Sequence, residues 1–356
     1  MYKIENIVFA FITVMLFIIP RPSLFTQLDY LIFIPVLILY ITRNAISHNH
    51  LSIFFIAMVL TLPGLLVSGN TFPILLALNM ICVFYFTKRK PNCRSKNINV
   101  IFLSILIFSI LYLIDSSIFR IRADGRYHLN HSDPNFSSVG IFLLFAFFMS
   151  LRKYYFCLAL FVLATILMSR AALLSIIIYV ILSKSKFISQ NYFYKKITTN
   201  MGVIAIISIF ILFLSVDFIQ GFLGEFSAET STGAGRLTNF ADNSNIGRFI
   251  KFAITFEMMR DFQYLLNGPG LELYGSIVPH NSLMFIFANF GLLSLAAHLI
   301  FLTAIKNINT NQRALSAAMI FYSMFLHGLL LGLYFVAFVF IHHKLAKQPA
   351  ASVTSI

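Results

Sequence analysis

Charged residues are scarce in this sequence. Lys, Arg, Asp and Glu together make up 11% of the 356 residues, whereas hydrophobic residues make up 59%. A soluble domain carries about 25% charged residues, so the composition excludes an ordinary soluble protein. Apolar runs of about 20 residues recur from end to end, and a helix of that length crosses a hydrocarbon layer of about 30 Å. Because a β-barrel would show short strands of alternating polarity, the sequence predicts an all-α, polytopic integral membrane protein.

Signatures of nucleotide and metal chemistry are also missing. The sequence contains no P-loop, no glycine-rich nucleotide motif, no HExxH or GxSxG motif and no D-x-D. The three cysteines, Cys82, Cys93 and Cys157, fall in or beside predicted spans or on the predicted inner side, so we expect no disulfide. We expect neither a cofactor nor a metal ion. An enzyme of this kind that handled phosphate at the outer face would need a preactivated donor carried by the membrane.

Hydropathy and turn residues predict about twelve spans within one integral membrane domain, 1–356. The first apolar run, 7–20, lacks an A-x-A-like cleavage site, and we interpret it as a retained span. The last two spans are compatible with one long helix kinked around His327–Gly328. The predicted spans are 5–20, 28–42, 51–68, 71–87, 98–115, 135–151, 154–168, 171–183, 197–216, 280–303, 314–326 and 329–342.

The charge distribution predicts the orientation of the chain. With the N-terminus inside, 17 of the 26 Lys and Arg residues fall on inner segments, as the positive-inside rule requires. The net charge of +14 would suggest nucleic acid in a soluble protein, but here it has a topological cause and we expect no nucleic-acid partner. Eight of the nine outer basic residues are Arg, whose planar guanidinium binds phosphate in a bidentate way. The outer face is therefore predicted to be the working face, and both termini are predicted to be cytoplasmic.

The largest polar loop, 217–279, follows the ninth predicted span and holds more than half of the acidic residues. Its segment 246–266 has an amphipathic pattern, which is typical of a helix lying at the membrane interface. Arg248 would lie in the first turn, where free N–H groups favour an anion, and Lys251 would share that face. Together with Arg236, which precedes the helix, these side chains suit a phosphate or pyrophosphate at the level of the lipid headgroups. The alternative is ordinary snorkelling toward anionic lipids.

A histidine follows this loop at the predicted mouth of the tenth span. The turn residues NGPG (267–270) end the loop helix, and a short connection leads to His280. A histidine in that position can take a proton from a sugar hydroxyl near neutral pH. The alternative is a histidine that is only hydrogen-bonded at a helix start. Asn281 and Ser282 are candidates for the same structural role.

The loop 116–135 carries a second polar cluster. It could hold a metal ion, contact a phosphate or sugar through its arginines, or form a polar loop whose Asp133–Pro134–Asn135 turn starts the next helix. The cluster consists of Arg120, Arg122, Arg126, His128, His131 and Asp133.

Isolated polar residues also interrupt the apolar runs. Arg170, after Ser169, needs a partner at that depth, either a lipid phosphate at the outer interface or a ligand in an outward-facing cavity. We expect His298 to form hydrogen bonds within the bundle, as we do His327. The residues 342–344 are predicted to lie in an inner loop without a chemical role.

Four segments of the sequence occur in an order that resembles the O-antigen polymerase and O-antigen ligase superfamily of bacterial envelopes. Ten residues separate His280 from Gly291, as in the superfamily's outer-loop histidine motif. The spacing from Arg236 to Gly247 is similar to an arginine-to-glycine motif of the polymerases. The resemblance covers about 135–300 and is carried by DPNFSSVG (133–140), MSRAALL (168–174), GRFIKFAITFEMMRDFQYLLNGPG (247–270) and HNSLMFIFANFGLLS (280–294).

The resemblance implies a GT-C-like helical bundle and an inverting, metal-independent glycosyltransferase. The donor would be an oligosaccharide linked to undecaprenyl pyrophosphate. His280 matches the family's catalytic histidine, which would deprotonate or orient the acceptor hydroxyl. Arg248 and Arg170 match arginines that hold the donor's pyrophosphate, whereas Arg236 matches only the looser motif. Further expected substrate contacts are Lys251 and, as weaker candidates, Arg126, Asp133, Asn135 and Asn281.

Within this superfamily the DPNF segment and the Arg236-to-Gly247 spacing favour a polymerase. Such an enzyme joins a growing glycan to the next lipid-linked repeat unit at the periplasmic face of the inner membrane. An O-antigen ligase, which transfers the glycan to lipid A–core, is the alternative. A transporter of lipid-linked oligosaccharides would carry ionisable residues in mid-span, whereas here they cluster at span ends. The expected partners are the lipid-linked donor, a glycan acceptor, the bilayer and a chain-length regulator.

Overall fold

The computed structural model of the chain describes 2–17, 48–68, 72–87, 98–100, 102–104, 134–224, 280–326 and 328–346, together with residue 107 and single residues within 251–268. Helices dominate these segments. They are α1 (Tyr2–Phe17), α2 (His48–Ser68), α3 (Phe72–Thr87), α4 (Pro134–Ser150), α5 (Tyr154–Ile166), α6 (Arg170–Lys184), α7 (Lys186–Gln190), α8 (Tyr192–Ile197), α9 (Met201–Gly224), α10 (Ser282–Leu302), α11 (Thr310–Ser323) and α12 (Gly332–Leu345).

The expectation of an all-α protein is confirmed. The described segments contain no β-strand, only an isolated antiparallel bridge between Asn200 and Lys306. Helices cover most of ten of the predicted spans, whereas the span 28–42 and most of the span 98–115 lie outside the described residues. In the part of the chain that is described, α10 is the one helix both long and apolar enough to cross a membrane. The total of about twelve crossings therefore stays a prediction.

Polar residues at the helix starts set several boundaries. The Asn309 side chain accepts a hydrogen bond from the Gln312 N–H at 2.9 Å, and the Gln312 side chain accepts one from the Asn309 N–H. This capping box starts α11 at Thr310, four residues before the predicted span. Because α11 ends at Ser323 and α12 starts at Gly332, the alternative of one long kinked helix is wrong.

The helix α12 lies at the centre of the packing. Every residue from Gly332 to Ile341 is buried, and the helix contacts α1, α3 and α4. The Phe340 ring centroid lies 6.3 Å from that of Phe9 and 5.5 Å from that of Phe86. A helix that is apolar on all sides is stable only when other elements surround it. The abundant phenylalanines thus supply packing within the bundle.

The histidine of α10 does not behave as expected. His298 is completely buried, and neither ring nitrogen has a hydrogen-bond partner among the described residues. Its ring instead contacts three aromatic rings, those of Phe72, Phe301 and Phe335, with centroid distances of 6.3, 5.8 and 6.2 Å. The prediction of a hydrogen-bonding role for His298 is therefore wrong within the described part of the chain.

Buried polar side chains join the helix termini at one side of the bundle, which we name the Lys184 end. This end comprises the last turns of α4, α6, α10 and α12 and the starts of α5, α9 and α11. His342 Nε2 lies 2.7 Å from Asn307 Oδ1, and the Ser316 hydroxyl donates to the same oxygen at 2.7 Å. His342 and Lys344 are buried in the last turn of α12, so the expectation of an inner loop there is wrong. A hydrogen-bonded network of this kind orders the chain where four helices meet.

Large apolar side chains remain exposed on the outer faces of α2, α5, α6 and α9. The exposed fraction reaches 75% at Leu66 and 65% at Leu158. Soluble monomers rarely expose contiguous apolar patches of more than a few hundred square ångströms. This surface and the length of α10 both favour a membrane as the surroundings of the bundle. Members of the surface include Leu51, Phe55, Val59, Leu66, Leu158, Phe161, Ile177, Ile181, Ile206 and Phe210.

Candidate functional site

The opposite side of the bundle brings together the starts of α4, α6 and α10 and the turn after α11; we name it the His280 end. Two buried hydrogen bonds meet at Asn135, in the first turn of α4. The Ser169 hydroxyl donates to Asn135 Oδ1 at 3.0 Å, and the Tyr322 hydroxyl donates to the Asn135 carbonyl at 2.8 Å. The start of α6, directly before Arg170, is therefore fixed against α4 and α11.

A second pair of hydrogen bonds fixes the start of α10. The Ser282 hydroxyl donates to the Leu326 carbonyl at 2.6 Å and accepts from the Leu329 N–H at 2.9 Å. Leu326 lies in the turn that directly follows α11, four residues after Tyr322. The two pairs of hydrogen bonds are thus neighbours, and the segment that carries His280 begins at the same end of the bundle as Arg170.

Caps set the local conformation of both candidate groups. Asn281 is the N-cap of α10, and its side-chain oxygen accepts from the N–H groups of Leu283 and Met284 at 2.9 and 3.1 Å. His280, one residue earlier, is half-buried. Ser169 is the N-cap of α6, so Arg170 is the first helical residue and is also half-buried. An arginine in a first turn adds its charge to N–H groups that already favour an anion.

The two weaker candidates that the structure describes have structural duties. The side-chain oxygen of Asn135 is occupied by Ser169, and that of Asn281 by the first turn of α10. These bonds hold the helix starts that carry Arg170 and His280, and the predicted substrate contacts of Asn135 and Asn281 stay predictions. The sequence signalled the caps, because asparagine and serine are favoured there. The sequence gave no signal for the contact of Tyr322 with Asn135 or for the contacts of Ser282 with Leu326 and Leu329, because these partners are distant in the chain.

The large loop touches the middle of α10. Gly268 is buried with φ +62°, as expected of the glycine after Asn267 in the predicted helix stop. A Cβ at Gly268 would lie 2.5 Å from both the carbonyl oxygen of Asn289 and the amide nitrogen of Phe290. At the next residue α10 is broken, because Gly291 has φ 81° and ψ 177°, a conformation that is essentially restricted to glycine. His280 thus lies just before the start of α10, and Gly291 lies where the helix is broken.

The part of the loop that was predicted to be an interfacial helix is described at four of its residues, and all four are helical. Lys251 is half-buried, and its carbonyl accepts a hydrogen bond from the Thr255 hydroxyl at 2.8 Å. Thr255 is buried, whereas Phe262 is 70% exposed. The remaining predicted site residues, Arg126, Asp133, Arg236 and Arg248, lie outside the described residues.

The described segments contain no candidate metal site, because no three His, Cys, Asp or Glu side chains come together there. The set His128, His131 and Asp133 falls outside them.

Comparison of the chain with protein-family models, with characterised proteins and with solved structures finds no match.

Proposed function

We propose that this chain is a membrane glycosyltransferase of the O-antigen polymerase type. It would transfer a growing glycan from undecaprenyl pyrophosphate to the next lipid-linked repeat unit at the periplasmic face of the inner membrane. The observation that carries the proposal is the common position of the starts of α6 and α10, with Arg170 and the His280 segment at one end of the bundle. Both termini would then be cytoplasmic.

The proposed reaction needs a base and a site for a departing diphosphate. His280 takes the proton of the acceptor hydroxyl, whose oxygen forms a bond to the anomeric carbon of the donor glycan. The bond from that carbon to the pyrophosphate oxygen breaks, and undecaprenyl pyrophosphate leaves with inversion at the carbon. Arg170 and the first turn of α6 stabilise the negative charge of the leaving group. Arg248, Arg236 and Lys251 on the large loop are proposed to bind the same group.

The weaker candidates enter the proposal in two ways. Arg126 and Asp133 remain proposed contacts to the sugar or phosphate. Asn135 and Asn281 also act through the hydrogen bonds that fix the helix starts carrying Arg170 and His280. A chain-length regulator is a further proposed partner.

Loss of the gene tests the reaction type. A polymerase mutant should still attach single repeat units, so its lipopolysaccharide should consist of core capped with one repeat. The measurement is a sugar-profile gel of the deletion strain, with the plasmid-borne chain restoring the ladder of longer glycans. Bare core would contradict the polymerase and indicate a ligase or a transporter. An unchanged ladder would remove any role in O-antigen assembly.

Two buried tyrosines allow the role of the His280 end to be separated from general stability. Tyr322→Phe removes the hydroxyl that binds the Asn135 carbonyl, and Tyr179→Phe removes a similar bond, to the Ala146 carbonyl, near the Lys184 end. Each loss removes one buried hydrogen bond and should cost about 0.5–1.5 kcal/mol. We expect both variants to lower the thermal unfolding temperature in detergent by similar amounts.

Glycan synthesis should respond differently. Only Tyr322→Phe should shorten or remove the glycan ladder at matched protein levels, because only that bond holds Asn135, whose side chain in turn binds Ser169 at the start of α6. An equal fall in the ladder for Tyr179→Phe would show that stability alone is responsible.

A further inference from the structure

An apolar groove opens on the outer surface of the bundle between α4, α5 and α6. Its volume is about 400 Å³, within the range of small-molecule sites. Side chains of all three helices line it, including Phe145, Met149, Leu158, Phe161 and Ile177. The rim is also apolar, since Leu158 is 65% exposed and Ile181 is 51% exposed. The groove lies in the half of α5 and α6 next to the Lys184 end.

One lysine contacts the lining of this groove, and a second lies at the start of α5, next to a residue of the lining. Tyr154 lines the groove, and the Lys184 Nζ lies 5.9 Å from the centroid of its ring. Lys153, the N-cap of α5, places its Nζ 5.9 Å from the centroid of the adjacent Tyr155 ring. Lys184 is exposed and Lys153 is half-buried. An anion whose apolar tail occupied the groove would therefore meet the Lys184 ammonium group at its head, with Lys153 in the adjoining turn.

The chain supplies no nearby carboxylate to these lysines from the same segment. The sequence has no Asp or Glu from Pro134 to Val216, or after Glu272. Across the first of these intervals the basic residues include Arg152, Lys153, Lys184, Lys186, Lys195 and Lys196. Basic pockets between membrane helices on the cytoplasmic side are typical sites for anionic lipid headgroups. A neutral or zwitterionic lipid would bring no net negative charge to this lysine-rich end of the bundle.

We propose that the groove between α4, α5 and α6 binds an acyl chain of an anionic glycerophospholipid, whose phosphate is held by Lys184 and Lys153. The proposal rests on the membrane location within the proposed function and is independent of glycosyl transfer. Lys184 is separated from the candidate site by the length of α6, because Arg170 is the first residue of that helix and Lys184 the last.

The absence of tryptophan from the chain permits a direct test. Leu158→Trp, or Ile181→Trp if the first variant does not fold, places a single fluorophore at the rim of the groove. The full-length protein is reconstituted with brominated phosphatidylglycerol or brominated phosphatidylcholine of identical acyl chains, and quenching is compared. We expect quenching to show a preference for phosphatidylglycerol of roughly fivefold or more, given the contribution of a lysine near an anionic surface.

Two variants complete the design. The preference should fall to about equal association when Lys153→Gln and Lys184→Gln are added. Leu66→Trp, on the exposed face of α2 near the His280 end, should be quenched by both lipids without preference. Equal quenching in the protein with both lysines, or an unchanged preference without them, would overturn the proposal. Quenching of Leu66→Trp alone would show that something other than a phospholipid fills the groove.

The outcomes also separate this proposal from the proposed function. A normal glycan ladder in cells, combined with no lipid preference in the fluorescence experiment, would refute only the lipid site. A clear lipid preference in a protein whose loss leaves the ladder unchanged would refute only the glycosyltransferase. If neither brominated lipid quenched Leu66→Trp, the membrane location that both proposals share would be wrong.

Discussion

Replacing His280 by alanine is expected to lower glycan polymerisation by about 10²- to 10⁴-fold, the usual contribution of a general base. The imidazole is the proposed acceptor of the hydroxyl proton, and alanine leaves no group for it at the start of α10. The hydrogen bonds of Asn281 and Ser282, which build this helix start, do not involve the His280 side chain. The variant is compared with the unaltered protein at matched protein levels. The measurement is the rate of lengthening of lipid-linked glycan in membranes supplied with purified repeat units.

His343→Ala is the matched control for this experiment. His343 is also half-buried, but it lies in the last turn of α12, at the Lys184 end. Its loss should leave the rate within about twofold, because a residue outside the reacting groups makes no contribution specific to the transition state. A His280→Ala protein that lengthened glycan at the normal rate would remove the catalytic assignment. If His280→Ala stops polymerisation while donor translocation stays normal, the defect lies in glycan transfer and not in transport.

Much of the fold could be predicted from the sequence, because long apolar runs and polar caps are local signals. The cap at Asn281 and the turn at Ser169 both lie where serine and asparagine precede apolar residues. The start of α11 was predicted less accurately, because Asn309 caps a first turn of polar residues that comes before the apolar run. Local patterns therefore identify the presence of a helix better than its first turn.

The candidate site could be predicted only in part, because its geometry depends on contacts between distant residues. The bond from Tyr322 to Asn135 joins residues 187 positions apart, and no local pattern marks either partner for the other. His342 was misinterpreted for the same reason, since its partner Asn307 lies 35 positions away. His298 shows the opposite error: its polarity suggested a hydrogen bond, but its surroundings are aromatic.

Gly268→Ala is expected to separate the large loop from α10 and to remove most glycan polymerisation. The positive φ alone should cost about 1–2 kcal/mol for a residue with a Cβ. The new methyl group would also lie 2.5 Å from main-chain atoms of Asn289 and Phe290, which cannot move aside as a flexible side chain would. The backbone shifts that such overpacking forces typically cost a further 1–3 kcal/mol. The measurements are the glycan ladder in cells and the susceptibility of the purified protein to a protease that cuts within the loop.

Gly332→Ala separates these two contributions. Gly332 has φ +61°, nearly the same as Gly268, but a Cβ there would meet no atom within 4 Å. This variant should therefore show the conformational penalty alone, as a small fall in unfolding temperature with the ladder retained. If both variants lost the ladder equally, backbone strain would explain the defect and the contact between loop and helix would have no special role. If neither lost it, the approach of Gly268 to α10 would be unnecessary for the reaction. If only Gly268→Ala lost the ladder, the reaction would require the contact between the loop and α10. This result would support the proposal that the loop arginines bind the donor while the loop is docked.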